Sequence, residues 1–144
     1  NGVFQKYVFS GLIVNSDKTR HYEISSIFRF WDSTIDEEPE KTTENKILIA
    51  PSCLPFEIGN ALSKLIKRDL LSTTEAILVL HEFYKIPIRL LEPDIANSVV
   101  IAAESNSYAY DAYYLNIANQ LSEPLLTRDE KMKSTALERG IKCL

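Results

Sequence analysis

Acids that open helices at the ends of apolar strands are the residues of this chain best placed to do chemistry. Asp129 shows the pattern most clearly. Leu125-Leu126 reads as the end of a buried strand, Thr127 and Asp129 turn the chain, and a helix then runs to Arg139 and stops at Gly140. In an open α/β fold, ligands bind at the carboxyl ends of the strands. An Asp there gains from the exposed N–H groups of its helix and also reaches into the crevice. A plain N-cap explains Asp129 on its own, so its interest depends on other acids arriving at the same place. Glu57, in the first turn of the helix after a strand, and Asp111, in the first turn after Ser105-Asn106-Ser107, are expected to do so. Three converging carboxylates would bind a hard cation, because Mg²⁺ and Mn²⁺ take oxygen ligands and keep several waters. Such a cation activates water and stabilises charge on a phosphodiester during in-line displacement.

The elements that must position these acids alternate between strand and helix. Tyr7 to Val14 is apolar but broken at Ser10-Gly11, so it is either one strand or a short strand turning into a helix. Thr19 to Ser33 has helical spacing, with Tyr22, Ile24, Ile27, Phe28 and Trp31 on one face; Asp32 to Lys46 reads as an exposed, mobile acidic loop. Ile47 to Ala50 is a short buried strand, and Phe56 to Arg68 a helix with Ile58, Leu62, Leu65 and Ile66 inward. Ser72 and Glu75 match a capping box that opens a helix through Tyr84. Ile88 to Leu91 reads as a strand and Pro93 to Glu104 as a helix with Ile95, Val99 and Ala102 inward. Ala109 to Leu121 is a helix on which Tyr110, Tyr113, Tyr114 and Ile117 are expected to pack, and Ile141 to Leu144 a last strand. Strands separated by helices predict a single α/β domain over residues 1–144, a mainly parallel sheet of about five strands covered on both faces.

Bulk properties narrow the function classes. The 144 residues suffice to bury a core without disulfides or a structural metal. A net charge of -4 gives no overall basic footprint for nucleic acid, yet a nuclease needs only carboxylates and a local basic patch. Cys53 and Cys143 fit no metal-ligand spacing and read as free thiols of a cytosolic protein. No apolar run reaches bilayer length and no secretory signal is visible, so a soluble, cytoplasmic protein without membrane contact is expected. The four glycines form no phosphate loop, and His21 and His81 lack a nucleophile pattern, which removes nucleotide-binding and triad readings.

Three segments carry a resemblance: Ile49 to Leu62, with Glu57-Ile58-Gly59-Asn60-Ala61-Leu62 at its end, Tyr108 to Leu115 around Tyr110-Asp111-Ala112, and Leu126-Thr127-Arg128-Asp129. In order and spacing they resemble the signature blocks of PIN domains, most closely the VapC-like toxin branch, over essentially the whole chain. The resemblance implies a PIN-like three-layer sandwich and a Mg²⁺- or Mn²⁺-dependent ribonuclease. Glu57, Asp111 and Asp129 would be its catalytic metal-site carboxylates, with Thr127, Asn60 and Ser10 in support. It further implies an RNA substrate, a homodimer and a small antitoxin protein that blocks the site. One position departs from the pattern. PIN nucleases carry a metal-ligating Asp at the end of the first strand, where this chain has Phe9, and Asp17 is out of register. A phenyl ring offers no ligand and makes neighbouring charges harder to desolvate.

Around this core lie weaker candidates. Lys64, Lys67 and Arg68 would hold RNA phosphates beside the metal, or form a solvated helix face with cations near its C-terminus. Tyr108, Tyr110, Tyr113 and Tyr114 would stack bases, although their helical spacing favours packing. The rival functional reading is a PIN scaffold without catalysis that binds protein or RNA. A receiver or phosphatase-like domain would need an acidic pair after an early strand, which is missing.

Overall fold

A computed structural model describes residues 12–15, 47–127 and 129–144. Expectations for Phe9, Ser10, Asp17, the helix from Thr19 to Ser33 and the acidic loop to Lys46 lie outside the described residues. The elements are β1 (Leu12–Asn15), β2 (Ile47–Pro51), α1 (Leu54–Lys67), α2 (Thr73–Phe83), β3 (Ile88–Leu91), α3 (Ile95–Ser105), α4 (Ala109–Leu121), β4 (Leu125–Leu126) and α5 (Glu130–Glu138). The fold is mixed α/β.

The sheet order is β3-β2-β1-β4. β2 and β3 pair in parallel, whereas β1 runs antiparallel to both β2 and β4. Among the described residues the sheet is therefore four-stranded and mixed, with one parallel and two antiparallel pairings. The expected last strand contributes a single parallel bridge, Leu125 to Cys143. The period-2 pattern of a strand reads the same in either direction, so the reversal of β1 leaves no mark on its residues. Ile13 pairs with Ile49 and Asn15 with Ile47, which puts the start of β1 at the edge where β2 ends.

Burial follows from the layers. Leu48 to Pro51 are buried in unbroken succession, and since neighbours on a strand point to opposite faces, both faces of β2 are covered. α4 packs on β1, β2 and β4 and lies along α3. α1 begins at Leu54, two residues earlier than its apolar period suggests, because Pro55 fits the first turn, where its missing N–H has no partner to lose. Leu54, Ile58, Ala61, Leu62 and Leu65 form its inner face.

Caps fix the other helices. At α2 the Ser72 hydroxyl accepts from the Glu75 N–H at 3.1 Å and the Glu75 carboxylate accepts from the Ser72 N–H at 2.7 Å, the expected capping box. α5 ends on Gly140 at φ 74°, with Gly140 N–H donating to Leu137 and Ile141 N–H to Ala136, a Schellman closure.

Two faces differ from expectation. On α3, Ile95 (53% exposed) and Val99 (54%) face outward, while Ser98, Ile101 and Ala102 are buried. That helix is apolar almost all round, so periodicity leaves its rotation open. The small Ser98 permits close approach, and its hydroxyl is satisfied by donating to the Asp94 carbonyl at 2.7 Å. On α4, Tyr114 and Ile117 are buried as expected, but Tyr110 is more than half exposed. No helix among the described residues is long and apolar enough to cross a membrane.

Candidate active site

Asp129 is the N-cap of α5. Its Oδ1 accepts from the Met132 N–H at 2.9 Å, and its own N–H donates to the Thr127 hydroxyl at 3.1 Å. Thr127 is buried and Asp129 exposed. Cap and turn together hold the carboxylate where the helix begins.

Asp111, in the first turn of α4, is half-buried. Burial raises its carboxyl above the ordinary carboxylate range, the negative charge of Asp129 raises it further, and Lys131 works in the opposite direction. The charges of Asp129 and Lys131 thus both act on Asp111, in opposite directions. Lys131 is held there by donating from Nζ to the Asn106 carbonyl at 2.6 Å, across to the turn between α3 and α4. Its signal in the sequence is its place: a cation in the first turn of a helix opposes the dipole and calls for another reason to be there.

Glu57 stands on α1, half-buried, and is held from two sides. Its Oε1 accepts from the Cys53 thiol at 3.2 Å and its Oε2 from the Tyr114 hydroxyl at 3.4 Å. Tyr114 is wholly buried on α4, so this bond ties the third acid to the helix that carries Asp111. Burial, then the Glu57 charge, push the Tyr114 hydroxyl well above its usual range. Cys53 is pushed up to about 12, by burial first and by Glu57 second. Sequence reasoning places neither residue beside Glu57. The available hint is spacing, since Cys53 lies one helical turn before Glu57 and Tyr114 one turn after Asp111.

The structure therefore ties Glu57 to the helix of Asp111 through Tyr114, and the Asp129 charge acts on Asp111. No set of three His, Cys, Asp or Glu side chains among the described residues is grouped closely enough to hold a metal by itself. Asp111 and Asp129 are oxygen donors of the kind that a hard divalent cation takes. Burial raises Asp111 most, and the Asp129 charge that adds to it is the contribution a bound cation would relieve.

Phe56, Glu57, Asn60, Ala61, Lys64 and Tyr110 line a cleft of about 290 Å³. Asn60 and Lys64 are exposed on α1, and Lys67 and Arg68 follow at its end, exposed as well. His81 is exposed on α2, away from the acids in sequence and element.

No protein-family model matches this chain, and a search of curated proteins finds no match either.

Proposed function

We propose that this chain is a PIN-like ribonuclease of the VapC type, dependent on Mg²⁺ or Mn²⁺ and acting in the cytoplasm as a homodimer restrained by an antitoxin. The observation that carries the reading is Glu57 held by the Cys53 thiol and by Tyr114 of the helix that bears Asp111, with the Asp129 charge acting on Asp111 as well. In this reading the described strands and the Ile141–Leu144 segment belong to a five-stranded PIN-like sandwich, and Asp111, Asp129 and Glu57 would share the cation through its bound waters rather than enclose it directly. The bound cation supplies a lowered water pKa and a counter-charge for the phosphodiester. The chain supplies orientation. Met132 and Thr127 fix Asp129, Cys53 and Tyr114 fix Glu57, and Lys131 limits the repulsion between the paired acids. Ser10 and Asn60 complete the supporting set, and Lys64, Lys67 and Arg68 meet the RNA backbone.

A second reading, a PIN-like scaffold that binds without cutting, is favoured by Phe9 in place of an acid. Cleavage of a mixed RNA pool in Mn²⁺, with and without chelator, separates the two. If the unmodified protein cuts, and chelator or Asp129→Asn abolishes cutting, the carboxylates suffice. If only Phe9→Asp cuts, the site is intact but its natural role is binding. If no form cuts, the ribonuclease reading fails.

A further inference from the structure

Resting on the ribonuclease reading, we propose that the cleft lined by Phe56, Asn60, Lys64 and Tyr110 seats one unstacked nucleotide of a single-stranded RNA, its base on the aromatic rings and its phosphate at Lys64. Each ring is the immediate sequence neighbour of a site acid: Phe56 precedes Glu57 and Tyr110 precedes Asp111. Both lie in the first turn of helices that bury most of their apolar residues, yet Phe56 is 76% exposed and Tyr110 55%. Tyr110 is also pre-oriented, edge to face against Tyr113 with centroids 5.6 Å apart. Glu57 itself lines the cleft, so a nucleotide seated there lies against the candidate active site.

Size and charge select the occupant. A space of about 290 Å³ is at the lower end of small-ligand sites, suited to one planar heterocycle rather than a helix or strand of a partner. Lys64 lies on its rim, and Lys67 and Arg68 follow at helical spacing, so the cations of α1 lead away from the acids as a track for a phosphate backbone. A duplex hides its base faces, whereas a single strand offers them to aromatic rings without regard to sequence.

The test is the affinity of the full chain for a fluorescent single-stranded oligouridine, read by anisotropy with chelator present so that no cutting intervenes. The same RNA in duplex form is the control. Phe56→Ala and Tyr110→Ala should each weaken binding by roughly tenfold, the effect of losing one base–aromatic stack. Phe56→Trp and Tyr110→Phe should keep it, and the duplex should bind much more weakly than the single strand. Both positions are exposed, so unchanged melting curves will show that the alanine variants fold. Alanine variants that bind as well as the unmodified protein overturn the subsite, and if that protein still cuts RNA, the ribonuclease reading survives. Absence of both binding and cutting in the unmodified protein overturns the two together. Phe56→Ala that shifts a dimer to monomer without weakening RNA binding assigns the cleft to a protein contact and overturns the proposal.

Discussion

Asp111 is half-buried with a second carboxylate close enough to raise it further, and Lys131 only partly offsets this. Its first-turn position by itself favours the charged form by about 0.3–1 kcal/mol, against burial and Asp129, which raise its pKa. An acid with a raised folded-state pKa keeps its proton to higher pH in the fold than in the unfolded chain. Stability therefore falls as pH rises from the ordinary carboxylate range through the raised value. Asp111→Asn should thus raise the melting temperature at neutral pH by about 2–4 °C, with the gain fading as pH falls through the ordinary carboxylate range. A variant that melts lower at neutral pH would show that the charge contributes to the fold. Mn²⁺ should stabilise the unmodified protein, by linkage to the folded state, and stabilise Asp111→Asn less. At the neighbouring acid, Cys53 at about 12 remains a thiol at neutral pH and should alkylate slowly. Glu57→Gln removes an acceptor and a charge that hold that proton, so in a Cys143→Ser background the alkylation rate at Cys53 should rise several-fold. An unchanged rate, read by intact mass, would mean that burial alone protects the thiol.

The helices owe their limits to local chemistry that can be altered one residue at a time. α4 stops at Ser122, whose left-handed φ of 53° strains a residue with a Cβ. Relief of that strain is worth about 1 kcal/mol or more, and glycine returns roughly half a kcal/mol of freedom to the unfolded chain. Ser122→Gly should therefore raise the melting temperature by about 1–2 °C, whereas Ser72→Ala, which removes the α2 cap, should lower it by about 2–4 °C. A fall with Ser122→Gly would mean that the serine makes a contact worth more than its strain. Such chemical marks make helix ends legible in the residues themselves: Ser72 with Glu75, Asp129 and Gly140 each announce a terminus. The α3 rotation is not legible, because Ile95, Val99 and Ile101 all offer apolar surface and only the fit of Ser98 against its surroundings decides among them. The site divides in the same way. Glu57, Asp111 and Asp129 can be placed as acids at helix starts, but the bond from Tyr114 to Glu57 joins two helices distant in sequence and leaves no local trace. Spacing shared with Tyr113 and Tyr114 predicts packing for Tyr110, yet spacing alone does not say where the covered face ends.

On the scale of the molecule, a net charge of -4 and a pI near 5.2 give RNA no long-range attraction. Encounter should proceed without electrostatic steering, and whatever affinity exists must come from short-range contacts. Lys64 lines the candidate cleft, and Lys67 and Arg68 follow it at the end of α1. Each phosphate neutralised on a single strand contributes about 0.7 to the salt slope of binding, so this track predicts a slope no steeper than about -2. Lys64→Ala should flatten the slope by about 0.7 and weaken binding to all single strands alike, since a phosphate contact carries no sequence information. Base stacking on Phe56 and Tyr110 is insensitive to salt by comparison, so affinity should persist at ionic strengths that dissociate a basic RNA binder. A slope of about -4 or steeper would place the main phosphate contacts outside α1 and detach the cation track from the acids it follows. A shallow slope that Lys64→Ala leaves unchanged would deny the track any role and leave stacking as the sole source of binding.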